Sequence, residues 1–153
     1  HMSINREIKQ EKFENEHHRM LVNLLYSADW VAGQIKAVLD QFGLTHVQYN
    51  VLRILKGAKG EPLTAGAIKE VLIFKGSDLT RLIDRLEKKQ LVERVTCSEN
   101  RRKVDITISA AGLVLLKKIH PAIKSKTNAY YSQNLSADEA HAFNQLLDKL
   151  RKK

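Results

Sequence analysis

Apolar and polar positions alternate along this chain with two periods, and the change from one to the other divides it. Phe13, His17, Met20, Leu24, Ala28, Val31, Ile35, Val38 and Phe42 follow one another at steps of three or four. That spacing predicts a helix of about four heptads with one largely apolar stripe. No proline interrupts the first forty residues, and Gly33 is their only glycine. A helix so long exceeds what one small domain covers, so its spare face calls for a partner, most simply a second copy of the chain. The alternative is a surface helix folded wholly onto its own domain.

Gly43 stops this pattern, and Thr45 is placed to cap a second helix that buries Val47, Val51, Leu52, Ile54 and Leu55. Gly57 to Pro62 reads as a loop. Thr64 opens a short third helix with Ile68, Val71 and Leu72 directed inward, and Phe74-Lys75-Gly76-Ser77 is a turn. The next helix runs from about Ser77 to Lys89, with Leu79, Leu82, Ile83 and Leu86 on one stripe and Thr80, Arg81, Asp84, Arg85, Lys88 and Lys89 between them. The period then falls to two over Leu91–Val95 and Val104–Ile108, two strands joined by a turn carrying Asn100-Arg101-Arg102-Lys103. Ser109 can cap another long helix with Leu113, Leu116, Ile119, Ile123 and Thr127 along one side, interrupted and kinked at Pro121. Ser136 and Glu139 form a capping box for a last helix with Ala140, Phe143, Leu147 and Leu150 on one face and a basic end, Lys149, Arg151, Lys152 and Lys153.

Two short helices about a glycine-bearing turn, followed by a basic hairpin, describe a winged helix-turn-helix. The expected fold is therefore mainly α with a small β-hairpin wing: residues 44–112 form the winged helix-turn-helix, and residues 3–43 and 113–153 supply flanking dimerisation helices.

Charge sharpens this reading. The 153 residues carry a formal net charge of +9 and a pI near 9.7. Such a surface suits a polyanion, because each phosphate neutralised by Lys or Arg releases condensed counterions. Charge alone leaves DNA, RNA and anionic membrane open. The single cysteine, Cys97, excludes an intrachain disulfide framework and fits a reducing compartment. With no apolar run near 18 residues and no signal peptide, the expected location is the cytoplasm, with no membrane partner. No nucleophile–base set, phosphate loop or metal motif suggests an enzyme. His17 and His18 are adjacent and diverge on a helix, while His120 and His141 lie on separate helices, so no metal site is expected and no cofactor is implied.

The strings LTHVQYNVLRIL, LTAGAIKEVL, LTRLIDRLEKKQLVER and NRRKVDITISAAG, in that order, resemble the MarR family of bacterial and archaeal transcriptional regulators. The T-R-L-x-D-R-L-E-K pattern, then L-V-E-R and an Arg-Arg wing, carries the likeness, which spans Leu44 to Gly112 by motif. The resemblance implies an obligate homodimer whose terminal helices intertwine, presenting two winged helices to the half-sites of a pseudo-palindromic operator. It also implies repression relieved by a small-molecule effector. The alternative function is a winged-helix protein-interaction scaffold without specific operator binding.

Carried onto this chain, the first half of the recognition helix places Ser77, Asp78, Thr80 and Arg81 near base edges, with Arg81 suited to a bidentate guanine contact. Asp78 suits either a cytosine amine or the helix N-terminus. Arg85 and Lys88 suit phosphates, or else pair with Asp84 across one turn. Lys75 is a further phosphate candidate. In the wing the resemblance assigns Arg102 to the minor groove, and Arg101 and Lys103 to phosphates. Tyr26, Trp30, His46 and Tyr49 suit an effector crevice or, equally, interface packing. Cys97 lies outside the first helix, where thiol-sensing relatives carry their cysteine, and reads as inert unless Arg94 and Arg101 approach it. Two positions depart from the family pattern. Asn100 stands where the wing usually has aspartate, replacing an ion pair by at most a neutral hydrogen bond. Gln90 stands where a glycine is common, so the recognition helix is expected to end without a left-handed cap.

Overall fold

The first helical stripe is broken in two. In the computed structural model, which describes residues 2–96 and 99–152, a four-residue helix α1 (Ile4–Glu7) is separated by a loop from the long α2 (Glu16–Asp40). Asn15 decides where α2 starts: its backbone is extended and its side chain accepts the His18 N–H at 2.9 Å. Phe13 therefore lies outside the helix that its spacing suggested, its ring edge-on to His18. At the other end Gly43 takes a left-handed φ of 68°, which lets the chain turn sharply into the next element.

The central elements follow the pattern closely: α3 (His46–Gly57), α4 (Ala65–Val71), α5 (Leu79–Lys88), then β1 (Val92–Thr96) antiparallel to β2 (Val104–Ile108). Thr45 and Gln48 form a capping box on α3, and Thr64 accepts from the Ala67 N–H. Val71 is a correction, being 62% exposed where the pattern turned it inward. Helix α4 ends at Val71 and Leu72 swings into an extended backbone; Leu72, at 1% exposure, lies in the core as expected, while Val71 stays outside.

Gln90 is a second correction. It adopts φ 60° and completes a left-handed cap: its N–H donates to the Glu87 carbonyl and that of Leu91 to the Leu86 carbonyl, the paired bonds of a Schellman motif. The glycine is dispensable because these two bonds, together with buried Leu91, repay the cost of a side chain in that conformation. The hairpin is then pinned at its base and at its middle. Ser109 donates its hydroxyl to the Gln90 carbonyl at 2.7 Å and its N–H to that of Leu91, while Leu63 exchanges two backbone bonds with Ile106. Gly112 fits here for want of a side chain; a Cβ there would lie 2.4 Å from the Leu91 carbonyl oxygen.

Helix α6 (Ala110–Lys126), capped by Ser109, continues past Pro121 instead of being interrupted there. It buries Leu116 and Ile119, but Leu113 stays 44% exposed. A short α7 (Asn128–Asn134), absent from the pattern-based expectation, precedes α8 (Ala137–Leu150), whose capping box of Ser136 and Glu139 forms as expected. The main core gathers Leu39, Leu44, Val51, Leu52, Leu55, Ile68, Leu72, Ile83, Leu86, Val92, Ile106, Leu116 and Ile119 under the winged helix. Helix α8 buries none of its residues. Among the described residues no helix is long and apolar enough to cross a membrane. Cys97, and the expectation about its thiol, lies outside the described residues.

Candidate nucleic-acid interface

Helix α5 presents its cations because its apolar stripe is fully used. Leu79, Ile83 and Leu86 are buried, and the opposite face carries exposed Thr80, Arg81, Arg85 and Lys88. Asp78 is the N-cap, accepting the Arg81 N–H at 3.2 Å, and its other carboxylate oxygen lies 3.8 Å from the Arg81 guanidinium. Of the two roles open to it from the sequence, the helix N-terminus is the one the geometry holds. Arg81 is 73% exposed at its side chain, so that weak pair leaves the guanidinium free to reorient toward a base. Ser77, half-buried, donates its N–H back to the Phe74 carbonyl and closes the turn before α5.

Lys75 is held elsewhere. Its ammonium donates to the carbonyl of Lys69 at 3.0 Å and to that of Glu70, satisfying acceptors at the end of α4. Asp84 does not pair with Arg85 or Lys88; it goes to Arg94 on β1, at 2.5 Å. Arg85, Lys88 and Lys89 instead edge an open recess of about 500 Å³ against the start of α3, where the Lys89 ammonium donates to the Gly43 carbonyl.

The wing turn is self-supporting. The Asn100 side chain accepts the Arg102 N–H at 3.1 Å, and its carbonyl accepts the Lys103 N–H at 2.9 Å. The neutral bond that replaces an ion pair thus holds the backbone, while the Arg101, Arg102 and Lys103 side chains stay exposed. Between α5 and the wing lies a groove of about 670 Å³ with an apolar floor of Ile83, Val104 and Ile106 and a cationic rim of Arg94, Arg102 and Lys103. The structure thus brings Thr80, Arg102 and Lys103 to one groove.

Arg94 is a site residue that sequence reasoning passed over, apart from a possible influence on Cys97. The signal was present: a cation two positions after buried Val92 shares its inward strand face, and Asp84 and Glu87 precede it on the helix.

Of the four effector candidates, two line one hollow. Tyr26 and Trp30 lie on α2 and, with Ile4 and Glu7, line a hollow of about 320 Å³. Tyr26 donates its hydroxyl to Glu7 at 3.0 Å, which pushes its phenol above the usual range, and Trp30 packs against Tyr130 and Tyr131. His46 and Tyr49 belong to α3. His46 lies edge-on to Phe74 at 4.7 Å, and burial draws its imidazole below the usual value; Tyr49 packs half-buried against the core. Among the described residues no group of three metal-binding side chains converges.

A winged helix with a capped, cation-bearing second helix defines a class, and comparison with known proteins gives the family. The sequence profile of the MarR family matches residues 42–103. The organic hydroperoxide resistance transcriptional regulator of Bacillus subtilis is 32% identical over 108 residues, 70% of this chain and 69% of that protein. The HTH-type transcriptional regulator PapX of Escherichia coli is 29% identical over 109 residues, 71% of this chain but 66% of PapX. A cysteine-to-serine mutant of MarR from E. coli, crystallised with operator DNA, matches the fold with a TM-score of 0.79 over 93% of this chain and 100% of that one, at 24% identity. The chain belongs to the MarR family of winged-helix transcriptional regulators.

Proposed function

We propose that the protein is a homodimeric, sequence-specific binder of double-stranded DNA that works in the cytoplasm, represses by occupying a pseudo-palindromic operator, and is released by a small-molecule effector. The observation that carries the reading is the joint presentation of α5 and the wing: Thr80, Arg81 and Arg85 on the exposed helix face, Arg101, Arg102 and Lys103 on an exposed turn beside it. A helix of this size fills a major groove, and an arginine-bearing turn suits the adjacent minor groove or backbone. The relative solved with operator DNA supports this use of the fold. Arg81 is assigned to a base edge, Thr80 and Ser77 to its surroundings, and Arg85, Lys88, Arg101 and Lys103 to phosphates. Lys75 contributes to α4 more than to DNA.

The dimer is supported by the ends of the chain. Met20 and Leu24 on α2, with Phe143, Leu146 and Leu150 on α8, line an apolar groove of about 710 Å³ that none of the described residues covers. Residues 3–43 and 113–153 are therefore assigned to dimerisation, with a second copy as occupant. The Tyr26–Trp30 hollow is the part of the effector assignment that we retain.

The test is a binding titration on the DNA upstream of the protein's own gene at several salt concentrations. Specific binding that weakens steeply with salt supports the reading. Weak, sequence-blind binding favours the interaction-scaffold alternative and sinks this one. Arg81→Ala is expected to abolish preference at one base position, at a cost of about 1–3 kcal/mol.

A further inference from the structure

We propose that Arg94 is a positioning residue that locks the wing to the recognition helix, so that base reading by α5 and the grip of the wing act as one unit. The inference rests on the DNA-reading assignment of α5 and the wing. Arg94 sits on β1 opposite Ile106, with its side chain 27% exposed. One guanidinium nitrogen, Nη1, lies 2.5 Å from Asp84 Oδ1 and 3.7 Å from Glu87 Oε1, and Nη2 donates to the Thr80 carbonyl at 3.4 Å. Positions 80, 84 and 87 form one stripe along α5, so a single planar fork spans two turns of the helix.

Among the described residues the other ties of the hairpin to the rest of the fold lie at its base and, opposite Arg94, at its middle. Ser109 and Leu91 close the base, and Leu63 pairs with Ile106. Farther out Val95, Thr96 and the Asn100–Lys103 turn are exposed. At the middle Leu63 holds β2 to the loop before α4, and Arg94 is the side chain that ties β1 to the recognition helix. It also neutralises two carboxylates on a helix assigned to a polyanion. Asp84 and Glu87 are 48% and 44% exposed at their side chains, so ion pairs of this kind add little to folding. Their main consequence is orientation.

The test is a double-mutant cycle read by DNA affinity. The duplex is the one that the wild-type protein enriches most strongly from a random library, and the variants are Arg94→Gln, Arg102→Ala and the pair together. Arg94→Gln is expected to weaken binding about tenfold, and the cost of Arg102→Ala to shrink at least about fivefold in that background, as for coupled neighbours. Arg94→Lys, which keeps the charge and loses the fork, is expected to show the same lost coupling. Equal costs of Arg102→Ala in both backgrounds, or full recovery by lysine, overturn the proposal. If Arg94→Gln fails to fold by circular dichroism, Glu87→Gln, which trims the 3.7 Å arm alone, provides the readout through a reduced coupling. A wild type that enriches no duplex removes the DNA reading and the clamp with it; enrichment with an additive cycle removes the clamp alone.

Discussion

Between Leu44 and Gly112 the apolar stripes meet one another, and Val51, Leu52, Ile68, Ile83, Leu86 and Ile106 are each no more than 2% exposed. At the two ends large apolar side chains stay at the surface: Leu25 is 62% exposed, Trp30 41% even with Tyr130 and Tyr131 beside it, Phe143 49% and Leu146 63%. Both regions are helical and well capped, so capping does not distinguish them. What differs is that the centre, joined by Leu39, Leu116 and Ile119 from the adjoining helices, completes a core, whereas the outer parts of the ends keep an apolar surface that the proposed dimer accounts for. A periodic stripe therefore marks burial without saying in which molecule the burying partner resides.

Breaking the ends is expected to have the largest effect. Leu25→Asp with Leu146→Asp should give a monomeric mass by light scattering while the winged helix still folds. Specific DNA affinity should fall about 10²–10⁴-fold as the second half-site loses its tether. A dimer that survives both substitutions would remove the difference drawn between the regions. In the centre, Leu86→Ala should cost about 2–5 kcal/mol in denaturant unfolding, the range for a filled core site. By contrast Leu146→Ala should change unfolding of the isolated chain by less than about 0.5 kcal/mol. Gln90→Gly sharpens the account of the centre, since it relieves a left-handed side-chain conformation and should stabilise by about 1 kcal/mol, visible as a higher unfolding midpoint. The smallest effect concerns His46. Its folded pKa lies below the unfolded value of about 6.5, so the unfolded chain binds more protons below that pH, and stability falls as pH drops from there toward the folded pKa. His46→Gln should flatten this slope in unfolding curves taken across the window.

Much of the fold was legible because local chemistry set it. Thr45, Thr64, Ser109 and Ser136 cap the helices that their positions announced, and the switch to period two at Val92 announced the hairpin. The departures have local causes that periodicity does not register: an asparagine cap that delays α2, an early end to α4 that leaves Val71 outside, and backbone bonds that hold Gln90 left-handed. In the candidate site the exposed cations were legible, since they stand opposite an apolar stripe. Their pairing was not. Arg85 is next to Asp84 and Lys88 one turn on, yet the carboxylate goes to Arg94, ten residues on and across a turn of chain.

By itself the sequence determined the order of the elements, most of their caps, the polar face of α5 and the family to which the chain belongs, because those rest on spacing and on residues a few positions apart. The tertiary structure decided which cations are spent and which remain free. It committed Lys75 to the end of α4 and Arg94 to the face of α5, left Arg102 and Lys103 on a turn that Asn100 holds, and put Tyr26 and Trp30 on one hollow with Ile4 and Glu7. Those outcomes depend on distances between elements far apart in the chain, which the packing of the core fixes and no local pattern encodes.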